Sequence, residues 1–355
     1  MQVPDHQSAT TAEALNLATP GVEWTLPSSN YDPIKLEKIA QIESIRIVYP
    51  TFKELLKQIE YCRVHSKISA EPLCMLVTGL TGSGKTTLLE SYADEASQRK
   101  IRILLVRAPP RGTEKKLVSA MLKSIGDPSP ESGSVIVQTT RLLNLLDDLS
   151  IELVFIDEFQ QFVDKDNVRV LQNQCDWVKD LIDNSKWKRG FVFAGMPWAA
   201  NILRKSENEQ LSRRIPIRLE ITPFGRTGEE QSACFRAFLK MLEGQLPLRE
   251  RSRLAGDSTA FRIFCATNGR VGKVMNLVRR AAELAVLEDA TRIDLTMLRT
   301  AYNDRLRAEH PNRVNPFDTE IESLRAVPFE EYMPDLDRVG RGRTRQERAS
   351  RILKK

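Results

Sequence analysis

No apolar run in the chain approaches the ~20 residues that a helix needs to cross a bilayer. A transmembrane-helix architecture is therefore excluded. Residues 1–29 lack the basic-then-apolar order of a secretory leader. The five cysteines, at 62, 74, 175, 234 and 265, lie far apart and form no C-x-x-C pair. Cys74 and Cys265 sit in apolar surroundings and read as core residues. A reducing cytoplasm is the expected setting, with no membrane partner. The body also lacks a charge imbalance. The formal charge of +6 is carried by the segment Arg341–Lys355, which holds seven Lys or Arg against Glu347 alone. Residues 1–340 balance at 46 basic and 46 acidic, so any polyanion bound there must meet locally arranged charge.

What is present is ordinary for a globular protein: 41% hydrophobic and 28% charged over 355 residues, enough for a core domain, a smaller one and tails. The organising stretch is Gly79-Leu80-Thr81-Gly82-Ser83-Gly84-Lys85-Thr86, followed by Thr87. It comes after the apolar run 73–77 and before a segment in which Leu88, Leu89, Tyr92 and Ala96 share a helical face. Strand, glycine loop and helix are the context that a G-x-x-x-x-G-K-[ST] phosphate-binding loop requires. The glycines let successive N–H groups turn inward on a polyphosphate, and the helix adds its positive dipole end. Lys85 supplies a point charge for the β- and γ-phosphates, and the Thr86 hydroxyl is a hard ligand for Mg²⁺. The expected ligands are ATP and Mg²⁺.

Residues 1–30 are polar and proline-punctuated and read as a mobile arm. Residues 31–70 carry two helical patterns broken at Tyr49-Pro50 and read as an appendage to a nucleotide-binding α/β domain over 71–225. Within that domain, 101–106 reads as a buried strand, 136–149 and 168–184 as helices, and 190–194 as another strand. Leu153-Val154-Phe155-Ile156 ends in Asp157-Glu158, so a buried strand delivers two carboxylates to the sheet edge. Asp157 would hold Mg²⁺ through water and Glu158 would polarise the attacking water. The strand at 190–194 ends in Gly195-Met196-Pro197, with no polar side chain to sense a γ-phosphate. Arg213 and Arg214 precede the last strand, 217–221, and either suits an arginine finger reaching a neighbouring subunit's nucleotide. Residues 226–310 form a helical lid in which Lys273, or alternatively Arg270, starts the most regular helix and reaches back over the nucleotide. Residues 311–355 lose periodicity and end in the basic tail.

This order of phosphate loop, Asp-Glu strand, paired arginines and helical lid resembles the AAA+ ATPases. Within them it is similar to the TnsC/TniB regulators of DNA transposition, relatives of MuB. The residues that carry this are Ile47-Val48-Tyr49-Pro50, Val77-Thr78-Gly79 to Thr86, Val154 to Phe159, Phe193 to Pro197, Leu211 to Arg214 and Gly269 to Lys273. They span roughly 35–305. Met196 stands where the usual pattern has Thr. The resemblance implies an α/β fold with a central parallel sheet of order 5-1-4-3-2. It also implies an ATPase that assembles as a ring or filament on duplex DNA and recruits a DDE transposase, in some systems with a TniQ-like target selector. Other readings are a helicase loader, an origin-binding ATPase or, of a different class, a small-molecule kinase.

Since the body is neutral, a DNA track must be a local cluster. Arg107, Arg111, Thr113, Lys115 and Lys116 place five donor-bearing side chains within ten positions after the second strand. Such groups grip phosphates without reading bases. The tail 341–355 is the rival DNA-binding element, although a protein partner is its expected target.

Overall fold

Strand β1 (Cys74–Gly79) is buried along its whole length, because it lies near the middle of a five-stranded sheet. The structure is a computed structural model that describes residues 32–69, 71–163, 168–185, 189–203, 209–225, 229–309, 311 and 313–324. The expected arm 1–30 and the basic tail 341–355 lie outside the described residues. The other strands are β2 (Ile103–Arg107), β3 (Leu153–Asp157), β4 (Gly190–Gly195) and β5 (Ile217–Ile221). All pairings are parallel and the order is β2-β3-β4-β1-β5, the order that the resemblance implies.

A parallel sheet needs cover on both faces, and alternate strand residues feed two separate cores. On one face Met75, Val77, Phe155 and Val192 pack with α2 (Pro50–Ile68), α3 (Lys85–Gln98) and the helices after β5. On the other, Leu76, Val154, Ile156 and Phe193 pack with α4 (Glu114–Ser124), α5 (Val135–Asp148) and α6 (Val168–Asp183), joined by Leu211 of α8 (Glu209–Arg214). The short α7 (Trp198–Leu203) adds Ala199. Strand β2 corrects the expectation of a buried strand at 101–106. It occupies a sheet edge, only Leu104 and Val106 are buried, and Arg107 is exposed.

The C-terminal helices are α9 (Glu229–Gln245), α10 (Asp257–Thr267), α11 (Val271–Leu287) and α12 (Leu295–Arg305). Helix α11 buries Val274, Leu277, Val278, Ala281 and Ala285 along one stripe, with Leu284 partly buried beside them. Each fully buried Leu or Val there contributes about 1.5–3 kcal/mol. Helix α1 (Pro33–Ser44), capped by Asp32, lies against α11. Lys35 Nζ donates to Leu287 O at 2.9 Å, and Arg279 Nη2 to Ile45 O at 2.7 Å. The residues ahead of the sheet therefore bind the lid helix as well as the sheet.

An ion-pair network fixes α2 to the sheet layer. Glu60 accepts from Arg63 Nε at 2.9 Å and Nη2 at 2.7 Å, from Arg99 at 3.1 Å and from the Tyr92 hydroxyl. Arg63 and Lys67 both reach Glu152, next to β3. The Arg63 hydrogen bonds, aided by Tyr92 and Arg99, outweigh burial and hold the Glu60 carboxyl down at about 2. A depressed carboxyl stabilises the fold above its unfolded pKa, near 4.5, and that contribution disappears as pH falls towards 2. Thermal melts of Glu60→Gln should therefore show a lower Tm at pH 7 and a shallower loss of Tm between about pH 4.5 and 2 than the unsubstituted protein. Parallel Tm–pH curves for the two proteins would refute this.

Candidate nucleotide and nucleic-acid site

The loop between β1 and α3 is built by two left-handed glycines, Gly82 at φ 75° and Gly84 at φ 97°, the latter capping α3. These dihedrals turn the backbone N–H groups of the loop to one side. Lys85, the first residue of α3, is buried, and its Nζ donates to Gly79 O at 2.7 Å and Leu80 O at 3.1 Å. Burial lowers its pKa, while the carboxylates of Glu158 and Asp157 pull it back up. The ammonium thus lies within the fields of both acids.

Parallel pairing explains why those acids are near. Strands β1 and β3 flank β4, so their carboxyl ends emerge on the same edge of the sheet. Thr86 Oγ1 donates to Asp157 Oδ2 at 2.6 Å, and Asp157 Oδ1 accepts from Glu158 N at 2.8 Å. Asp157 is only 2% exposed. Two hard oxygens at the mouth of a phosphate loop fit a Mg²⁺ ion that retains most of its waters. No group of three or more His, Cys, Asp or Glu that could hold a metal ion is found among the described residues.

Glu158 has a left-handed backbone, φ 53° and ψ 36°, and begins the 3-10 turn Phe159–Gln161. Its carboxylate accepts from Gln160 Nε2, and Gln160 Oε1 in turn accepts from Met196 N at 3.1 Å. The Thr81 hydroxyl lies 3.7 Å from Met196 Sδ. The sequence reading missed Gln160 because a glutamine two positions past an acid pair carries no pattern of its own.

The lid meets the loop directly. Gly272 N donates to Gly82 O at 2.8 Å, and a Cβ on Gly272 would come within 2.7 Å of that oxygen. The side chain of Lys273 rests beside Gly82, and its Nζ pairs with Glu309 at 2.5 Å. Arg270, the alternative, is buried at 9% exposure at the N-terminus of α11. Between loop and lid runs a cleft walled by Ile47, Tyr49, Thr87, Met275 and Asn276. Burial in the cluster with Phe52, Phe224 and Phe238 pushes the Tyr49 hydroxyl up to about 12. Ile47 and Tyr49 were visible in the sequence as a motif ahead of a helix, but nothing there said that they would line this cleft.

The two arginines separate. Helix α8 precedes β5, whose Ile217 pairs with Met75 and whose Ile221 pairs with Gly79. The end of α8 therefore lies at the amino edge of the sheet, opposite the phosphate loop. Arg214 is tied to Glu71 and, at 2.9 Å, to Asp183. Arg213 is 76% exposed and, among the described residues, pairs along its own helix with Glu209.

Arg107, Arg111, Thr113, Lys115 and Lys116 are all exposed and follow β2 at the carboxyl edge. Thr113 caps α4 by accepting from Lys116 N at 3.3 Å. Lys115, Lys116 and Lys123 line one shallow groove along α4, an extension of the basic cluster that the ten-residue window did not include. Gly112 N donates to Gln161 O at 3.0 Å, which fastens this loop to the turn after Glu158.

The sheet order, the loop and the helical segment behind it define a P-loop ATPase fold of the AAA+ type. The chain belongs to the TniB family: the family described as bacterial TniB protein matches residues 38–220, more than half of the 355. Among solved structures, the chain is similar to Cdc6p from Pyrobaculum aerophilum, with a TM-score of 0.56 and 15% identity over 75% of this chain and 71% of that one. It is likewise similar to the Aeropyrum pernix ORC1 protein in complex with DNA, with a TM-score of 0.56 and 17% identity over 75% and 69%. Drosophila ORC bound to DNA gives a TM-score of 0.50 and 15% identity over 84% and 70%. At these identities the likeness shows the fold. No curated protein matches the chain in sequence. No helix among the described residues is long and apolar enough to cross a membrane.

Gly272→Ala tests the contact between lid and loop. The added methyl meets a backbone oxygen, so the lid must move off the loop. Losing that hydrogen bond and its alignment should weaken ATP-analogue binding about tenfold, near 1.4 kcal/mol. Equilibrium titration checks this, and an unchanged Kd would show that binding does not need the contact.

Proposed function

We propose that this protein is an ATP-dependent regulator of transposition. It binds ATP, assembles with copies of itself on duplex target DNA, presents that DNA to a DDE transposase and disassembles after hydrolysis. Membership of the TniB family carries this reading, and the loop, Asp-Glu strand and lid supply the parts it needs. Two of the similar solved structures are described as bound to DNA, which supports duplex DNA as the polymer engaged. A TniQ-like target selector is a further expected partner, as the family resemblance implies.

The roles follow from position. Backbone N–H groups from Gly79 to Thr87 cradle the phosphates, and Lys85 swings from two carbonyl acceptors to the stronger anionic ones. Bound Mg²⁺ would be held by Thr86 and Asp157 and would neutralise charge on the phosphates. Glu158 orients the attacking water, and Lys273 exchanges Glu309 for phosphate when the lid is seated. The apolar wall of Ile47, Tyr49 and Met275 suits a purine. Arg213 supplies positive charge to a neighbour's nucleotide, since the fold places it at the far edge from its own.

The first test is DNA binding with a non-hydrolysable ATP analogue. Binding should be insensitive to sequence, and Lys85→Ala should weaken it at least about 100-fold through lost nucleotide affinity. Arg111→Ala/Lys115→Ala/Lys116→Ala should lower the log–log salt slope by up to about 3, near one per phosphate contact. If deletion of residues 338–355 abolishes binding while the triple substitution leaves it intact, the track lies in the tail instead.

The second test separates the arginines. Arg213→Ala should abolish DNA-dependent hydrolysis with Tm unchanged, whereas Arg214→Ala should lower Tm by about 2–4 °C for roughly 1 kcal/mol of lost pairing. Mixing Arg213→Ala with Lys85→Ala protein should restore part of the hydrolysis. Failure to recover activity in mixtures shown to co-assemble would remove Arg213 from the reaction.

A further inference from the structure

Gln160 joins the end of β4 to the carboxylate that follows β3. Its amide orientation is forced, because the Glu158 carboxylate only accepts and the Met196 N–H only donates. Nε2 therefore faces Glu158, and Oε1 faces Met196 N at 3.1 Å. Both halves of the amide are in use. A side chain at position 195 would press on Gln160 Oε1, at 3.0 Å from its Cβ, so Gly195 leaves the room the amide occupies. The contact continues to the phosphate loop, where the Thr81 hydroxyl lies 3.7 Å from Met196 Sδ.

Met196 offers a thioether, a weak acceptor with no N–H or O–H to give a phosphate oxygen. Its backbone N–H is the donor that this position does present, and Gln160 takes it up. The backbone of Glu158 is left-handed, which is uncommon for a residue other than glycine and is maintained by its surroundings. Gln160 supplies such a restraint within the same 3-10 turn.

We infer that Gln160 is the positioning residue for Glu158, setting the direction of its carboxylate from the backbone of Met196 and thereby linking the phosphate loop to the group that orients water. The inference rests on the proposed role of Glu158. Gln160 touches neither nucleotide nor water in this scheme and acts only through that carboxylate.

The test uses the full-length protein with duplex DNA and Mg²⁺–ATP, comparing Gln160→Met, Gln160→Glu, Glu158→Gln and the double variant Glu158→Gln/Gln160→Met. Methionine keeps the length and bulk of the side chain and removes both hydrogen bonds. Glutamate keeps an acceptor but sets a second carboxylate against Glu158. Both variants should lower kcat at least about tenfold, the equivalent of about 1.4 kcal/mol, with the Kd for ATP analogue within twofold of the unsubstituted value. In single-turnover reactions the double variant should be no slower than Glu158→Gln, because two residues that act as a unit are non-additive. Wild-type kcat in Gln160→Met would overturn the inference and reduce Gln160 to a space-filling residue. So would losses that add in full, or a fall in kcat matched by a fall in nucleotide affinity. Wild-type hydrolysis by Glu158→Gln would instead overturn the role of Glu158 itself, and with it the basis of this inference.

Discussion

The hydrogen bond from Gly272 to Gly82 joins the helical lid to the phosphate loop, and much of the site depends on it. It allows no side chain on Gly272, brings Lys273 alongside the loop, and leaves the cleft beside Tyr49 and Met275 open. A single backbone contact of this kind contributes only about 1 kcal/mol. Its strength as a constraint comes from the elements behind it. Helix α11 is held by its buried stripe and by α1, whose end Arg279 grips through Ile45 O. The loop is held by β1, buried on both faces. The contact is one of several that join the lid to the sheet: α11 shares a core with β1 and β3, and Phe224 N donates to Gly269 O at 3.0 Å.

The sheet explains which functional groups can cooperate within one chain. Lys85, Thr86, Asp157, Glu158 and Gln160 share the carboxyl edge because every strand runs the same way. Arg213 lies at the opposite edge because it precedes its strand rather than following it. Arg213 is therefore exposed at an edge away from the phosphate loop of its own chain. Arg214, one residue on, is turned into the subunit and bound by Glu71 and Asp183. Adjacent arginines of identical chemistry therefore divide into a structural residue and a presented one.

Much of this was legible in the sequence. The loop, the Asp-Glu strand and the stripe of α11 are local patterns, each dictated by backbone conformation or by the period of burial. The sheet order came from the resemblance of the whole motif series and not from any one strand. What the sequence left open was what depends on neighbours. The apolar run at 101–106 reads as buried, yet β2 is half-exposed because it falls at the edge. Arg213 and Arg214 are indistinguishable until Glu71 and Asp183 are placed. Gln160 gains meaning only when β4 brings Met196 N within 3.1 Å of it. The tail and arm, the two segments with the plainest compositional signal, fall outside the described residues.

The arrangement around the 3-10 turn also bears on how a polymer at the surface could matter to chemistry at the sheet edge. The turn Phe159–Gln161 lies between two attachments. On one side Gly112, in the basic loop, donates to Gln161 O, and Gln174 of α6 donates to Gly112 O at 3.1 Å. On the other, Gln160 bonds Met196 and Glu158. Ala108 N adds a bond to Asp157 O at 2.8 Å, so the chain leaving β2 is stitched to the acidic segment at both ends of the loop. Phe159 anchors the same turn in the core, against Phe162 and Phe193. The basic loop after β2 and the turn after Glu158 are thus joined directly, on neighbouring strands.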